Sequence, residues 1–157
     1  SKISNELDKL MINVSNTEVI SIAHIEQNIG ISKDYNVFEL NNAISTLDYL
    51  KANRIVNYFK ANSKANPFVL TMAMLFAHFN KVLRYQCLTD KSKAAAVLGI
   101  HPGFIRDYET AARNYNIKRL VGIIALLREY DLKSKGLGST STDEGDLLKE
   151  LVFKIMH

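Results

Sequence analysis

One cysteine, two prolines and no tryptophan occur in this chain of 157 residues. Cys87 has no second thiol to pair with, so no internal disulfide forms, and such sparing cysteine use suits a reducing cytosol. It stands beside Leu83 and Leu88 with no base in view to activate it. An inert thiol, buried or half-buried, is expected. So little proline leaves long stretches free of helix breakers. Long greasy runs are missing too. The longest, from Phe68 to Ala77, is far short of the ~20 residues a membrane span needs. The opening SKISNELDKL carries no apolar signal region. The chain is therefore expected to be soluble and cytoplasmic, with no membrane partner. A strong charge of one sign is also absent. Twenty basic residues face sixteen acidic ones, for a net charge of +4. Residues 1–33 hold three lysines and four acids, so the excess lies in the remainder. This favours an acidic partner only weakly, and dedicated DNA-binding domains carry a denser basic face.

Motifs that announce a chemistry are lacking as well. No two of His24, His78, His101 and His157 lie three to five residues apart, so no helix carries a local pair of metal ligands. His78 falls among apolar neighbours, where a packed or surface imidazole is the simpler expectation. Lys135-Gly136-Leu137-Gly138-Ser139-Thr140 has the residue types of a phosphate loop in the wrong order. Such a loop needs its glycines before the lysine and a helix starting at the Lys-Ser/Thr pair. No G-x-S-x-G elbow is present. Asp107 and Glu109 would point to different sides of a helix. Arg106, Glu109 and Arg113 are spaced for exposed intrahelical ion pairs, worth a few tenths of a kcal/mol, of order ~0.3. No metal, cofactor or catalytic residue is expected. A small helical enzyme would need polar groups converging inside the bundle, and spacing offers none.

What is present is helical periodicity. With 47% hydrophobic and 23% charged residues the chain is ordinary globular protein. Apolar residues recur at helical spacing, which predicts a helix over residues 2–14, another after Ser21 to Gly30, and a turn at 32–35. Further helices are expected from Asn36 to Ser45, through Val37, Leu40, Ala43 and Ile44, and from Asp48 to Asn62, through Ala52, Ile55, Val56 and Phe59. Asn66 is placed to cap the next helix, with Pro67 at its first position, where the missing N–H is not needed. That helix runs to Cys87 and carries Phe68, Leu70, Met72, Leu75, Phe76, Phe79, Val82 and Leu83. A short helix breaks at Gly99, another starts at Pro102 and ends near Asn116, and a long apolar one runs from Ile117 to about Lys133. The run Val121 to Leu127 admits no solvent-facing side and is expected to be the central core helix. Gly136 to Gly145 reads as a mobile surface loop. Ser141 and Glu144 have capping-box spacing for an amphipathic last helix. The whole predicts an all-α, multi-helix bundle of about nine helices without strands.

Four groups of residues carry a resemblance: Leu98-Gly99-Ile100-His101-Pro102, Ala112-Arg113, Asp131-Leu132-Lys133, and the Leu-Leu-rich terminal helix around DLLKELVFKI. In this order they resemble the C-terminal collar domain of the delta subunit of the bacterial DNA polymerase III clamp loader. Asn36-Val37-Phe38-Glu39-Leu40 looks like the opening helix of that collar, and residues 1–33 resemble the end of the helical lid domain before it. The resemblance implies a lid remnant over 1–33 and a collar over 34–157, with a natural C-terminus and a cut N-terminus. A full delta chain also has an ATPase-like domain, which grips and opens the sliding clamp and is not a working ATPase. That domain is missing from these residues.

What the resemblance then implies is assembly rather than chemistry. Collars pack side by side into a ring, so the expected partners are the collars of other clamp-loader subunits, with the sliding clamp and primer–template DNA contacted in the full complex. The chain is expected not to be an enzyme by itself, although the family belongs to the holoenzyme of a DNA-directed DNA polymerase. From His101 to Lys135 seven basic residues face four acidic ones. Of these, Lys118, Arg119, Arg128, Lys133 and Lys135 are candidates for contact with DNA or a partner. The plainer reading is solvated charge, with Lys133 and Lys135 favoured at a helix C-terminus. Tyr108 and Tyr115 could stack on bases, but they share a face with Ile105 and Ala112, so packing is expected. A stand-alone helical nucleic-acid-binding domain remains the alternative reading.

Overall fold

A computed structural model describes residues 35–137 and 143–157 of the chain. The helices expected over 2–14 and after Ser21, the turn at 32–34, and residue Ser141 lie outside the described residues. Seven α-helices occur among the described residues, and no strand does: α1 (Val37–Ser45), α2 (Tyr49–Ala61), α3 (Phe68–Cys87), α4 (Ala94–Leu98), α5 (Ile105–Asn114), α6 (Ile117–Ser134) and α7 (Glu144–Met156). Two 3-10 turns, Lys91–Lys93 and Pro102–Phe104, lead into α4 and α5. Residues 37–157 form one compact unit.

Local chemistry starts and stops these helices. The Asp48 carboxylate accepts from Lys51 N at 3.0 Å, and the Asn116 side chain accepts from Arg119 N at 2.8 Å. Each takes up one of the free N–H groups of a helix N-terminus. Gly99 ends α4 at φ 62°, and Gly136 turns the chain after α6 at φ 81°. Both angles suit a residue without Cβ. Leu47 does the same after α1 at φ 58°, closing the turn with Asp48 N donating to Ala43 O at 2.8 Å.

Two expected caps are different. Asn66 does not cap α3. Its amide donates back to Asn62 O at 3.1 Å, and Pro67 itself takes the cap position with extended backbone. The last helix is capped by Asp143, whose carboxylate accepts from Gly145 N at 2.8 Å. The last helix therefore starts at Glu144, and Gly145, expected in the loop, is already helical; residues 138–142 of that expected loop lie outside the described residues.

The core is built on α3, not on α6. α3 packs against α1, α4, α5, α6 and α7, through Phe68, Met72, Leu75, Phe79 and Val82, all buried. α6 buries one row, Leu120, Ile123, Leu127 and Tyr130. The expectation that Val121 to Leu127 has no solvent-facing side is wrong. Val121 is 54% exposed, and Gly122 and Ala125 are exposed. A continuous apolar run on a helix covers every direction, but α6 has neighbours on one side only, so half of the run faces water. Leu70 and Phe76 on α3 also point outward, because they fall outside its buried stripe. Cys87 is exposed, not buried. It lies three residues after exposed Arg84, on the outward row of the last turn of α3.

Candidate subunit interface

The chemistry-bearing side chains are spent on holding helices together. His78 on α3 is buried, and its Nε2 lies 2.8 Å from Ser45 Oγ. Burial, reinforced by the Lys81 charge, pushes its pKa down to about 4, so the ring is neutral near pH 7. Ser45 is itself buried, and its carbonyl accepts from Asn114 Nδ2 at 2.7 Å. The serine and histidine side chains are both buried and bonded to each other, and no carboxylate among the described residues bonds the imidazole as a base that activates a serine would require, so the pair is a packed polar contact. Tyr115 donates to Ile44 O at 2.9 Å. Together Asn114 and Tyr115 satisfy the last carbonyls of α1, the groups a helix C-terminus leaves unpaired. Tyr115 and Tyr130 are buried and Tyr108 is half-buried, as packing residues should be.

The five candidate basic residues fall into two sets. Arg119 donates from Nη2 to Lys154 O at 2.8 Å and Ile155 O at 3.1 Å. It thereby ties the start of α6 to the end of α7, where Tyr49 Oη also donates to Met156 O at 3.2 Å. Lys133 pairs with Glu129 at 2.7 Å, and Lys135 with Asp131 at 2.6 Å, both across one helical turn. Lys133 Nζ also lies 4.4 Å from the centre of the Tyr130 ring. Only Lys118 and Arg128 make no hydrogen bond or ion pair among the described residues. The expected ion pairs of Glu109 with Arg106 and Arg113 are not formed. Glu109 instead accepts from Tyr85 Oη at 3.2 Å, because α5 turns that face toward α3. No group of three or more acidic, histidine or cysteine side chains among the described residues could hold a metal.

Two grooves on the surface are mainly apolar. A groove of about 550 Å³ runs between α2 and α7, with Ala52, Val56, Val152 and Met156 as its floor. Tyr49, 47% exposed, and Phe153, 61% exposed, stand along it. The His157 ring stacks on Phe153 at 4.2 Å and lies 4.9 Å from Tyr49. Asp146, Lys149 and Glu150 form a polar rim. An apolar centre with a rim of both charge signs is the anatomy of a protein contact surface. Sequence periodicity missed it, because Phe153 continues a greasy stretch whose other members turn inward.

A second groove, of about 360 Å³, lies between α1, α3 and the Pro102 turn that enters α5. It shares no residue with the first.

The family model of the DNA polymerase III delta subunit, C-terminal domain, matches residues 34–154. The chain belongs to this family. No curated protein matches it closely enough to count as a relative, and no solved structure does. Membership agrees with the all-α architecture, and the matched range takes in residues 98–102, 112–113 and 131–133. It makes this a clamp-loader subunit domain rather than a polymerase catalytic domain. No helix among the described residues is long and apolar enough to cross a membrane.

Proposed function

We propose that residues 34–157 are an assembly module, the collar of a clamp-loader delta subunit, and that residues 1–33 are the end of the preceding lid. The apolar groove between α2 and α7 carries this reading. Its partner is the collar of a neighbouring loader subunit, which seats an apolar helix face along Tyr49 and Phe153. In the intact loader such contacts hold the subunits around the sliding clamp and the primer–template DNA. Polymerisation and ATP hydrolysis form no part of this role, and the setting is the bacterial cytoplasm.

Two observations support assembly over chemistry. Buried polar side chains such as Ser45, His78 and Tyr115 are committed to contacts between helices. Large apolar side chains such as Tyr49 and Phe153 stand in water at a groove, and an exposed apolar patch at a concave site marks a place for another macromolecule.

Sedimentation velocity of the chain mixed with purified ATPase-type loader subunits tests the reading. A heavier species is expected at micromolar concentration. Phe153→Ala should weaken it at least tenfold while leaving the melting temperature within about 2 °C, since a surface truncation changes stability little. If the wild-type chain forms no complex with any loader subunit, the assembly reading is wrong.

A further inference from the structure

A third concavity differs in chemistry from the two apolar grooves. It has a volume of about 320 Å³ and lies between the end of α3, the Lys91–Lys93 turn and α5, lined by Tyr85, Gln86, Lys91, Glu109, Ala112 and Arg113. That is the small end of the ~300–1,000 Å³ usual for binding pockets, room for one side chain rather than a length of chain. Its floor is fixed from two sides. Tyr85 is 4% exposed, and its Oη donates to Glu109 at 3.2 Å. Burial, with the Glu109 carboxylate beside it, holds the phenol above its ordinary pKa, so it stays protonated and keeps that bond at neutral pH. Gln86 donates through Nε2 to Ala112 O and, at 2.7 Å, to Tyr115 O, which locks the end of α3 to the end of α5.

Two exposed cations stand over this floor with no acid bonded to either. Arg113 makes no hydrogen bond or ion pair among the described residues. Lys91 Nζ lies 4.9 Å from the centre of the Tyr85 ring and bonds no carboxylate among them. The acid next to Lys91 in the chain, Asp90, is spent on its own turn, where its carboxylate accepts from Ser92 N at 3.0 Å and Ser92 Oγ at 2.6 Å. Two cations against one acid, Glu109, leave the lining a net charge of +1. That balance matches a single carboxylate. A guanidinium takes a carboxylate through paired N–H donors, and an ammonium beside it adds a charge-assisted bond. A nucleic-acid strand asks instead for a run of positive charge, and here its phosphates would meet Glu109. We propose that this pocket receives the carboxylate of an aspartate or glutamate from an exposed acidic segment of a partner protein, with Arg113 and Lys91 as the two donors. The site shares no residue with the groove between α2 and α7, so it stands or falls apart from the assembly reading.

The test titrates the full, isotope-labelled chain with an acetylated glycine hexapeptide carrying two central glutamates and follows the backbone amide signals by NMR. The signals of Lys91, Glu109, Ala112 and Arg113 are expected to shift and saturate. The same peptide with glutamines for glutamates should bind about fivefold more weakly, the upper end for a partly exposed ion pair. Lys91→Gln and Arg113→Gln should each weaken the glutamate peptide by about the same factor while keeping the dispersed spectrum of a folded chain. Lys93→Gln removes an equal charge from an exposed neighbour that does not line the pocket, and it should bind within about twofold of wild type. The proposal is overturned if no signal saturates, or if Lys91→Gln and Arg113→Gln bind like wild type. It is also overturned if Lys93→Gln weakens binding as much as Lys91→Gln, because the attraction is then diffuse. If inorganic phosphate or a short oligothymidylate saturates the same signals more tightly than the peptide, the occupant is a phosphate group and the proposal falls.

Discussion

Replacing Arg119 by methionine would separate a structural arginine from a nucleic-acid contact. The guanidinium bonds two carbonyls in the last turn of α7, at 2.8 and 3.1 Å. Those carbonyls have no partner inside their own helix. A hydrogen bond to a charged group contributes about 1.5–3 kcal/mol when well shielded, and a cation at a helix C-terminus about 0.3–1 kcal/mol. The Lys154 carbonyl is exposed at this contact, so water replaces part of what is lost. Methionine keeps most of the apolar stem. The expected loss is therefore about 1–2 kcal/mol. For a unit of this size that lowers the melting temperature by roughly 3–10 °C. Circular dichroism during heating and urea titration reads the loss, and hydrogen exchange should rise first at residues 153–157. Lys118→Met, one residue earlier and without a partner, is the control and should shift stability by less than about 0.5 kcal/mol. If the two variants melt alike at the wild-type temperature, the tie between α6 and α7 does not stabilise the fold. If Arg119→Met then also reduced the salt dependence of DNA binding, Arg119 would be a phosphate contact.

Two further perturbations probe the core. Leu127→Asp places an unpaired carboxylate in the buried row of α6. Losing the leucine alone costs about 2–5 kcal/mol, and the charge adds to that. Set against the roughly 5–15 kcal/mol that holds a typical domain together, the cooperative melting transition should vanish, and a normal melt would show that this row does not face the core. Protonation of His78 gives a pH signature. Its pKa is lowered to about 4 in the folded protein from 6.5, so between these values the unfolded chain binds the extra proton. Stability from this group is complete above about pH 7 and is lost as pH falls toward 4, by about 3 kcal/mol in all. The stability difference between wild type and His78→Gln, measured by urea titration across pH 4–7, should change by that amount. A constant difference would refute the neutral, buried histidine.

How much was legible beforehand depends on whether a feature is local. The buried faces of α1 and α2 follow from spacing alone. Leu40, Ala43 and Ile44, and then Ala52, Ile55, Val56 and Phe59, are buried as the pattern requires. Gly99 stops its helix because only the left-handed region continues the chain there. By contrast, Asn66 and Pro67 offered a plausible cap that the chain does not use. For the last helix the pattern put forward Ser141, whereas the cap is Asp143, whose carboxylate accepts from Gly145 N and Asp146 N. Of the five basic residues singled out, the partner of Arg119 lies 35 residues away in α7, beyond anything a local pattern can indicate. Lys133 and Lys135 meet acids one turn back on their own helix, which spacing does indicate.

By itself the sequence determined that this protein is helical, where most of its helices begin and end, which rows of α1 and α2 are buried, and which order of residues ties it to the delta family. These are consequences of backbone geometry and short-range caps, which act within a few residues. The tertiary structure alone decided that α3 rather than α6 is central and that Val121, Leu70 and Phe76 face water. Burial depends on how many neighbours surround a helix, and a greasy helix read alone is the same whether one side of it or all sides are covered.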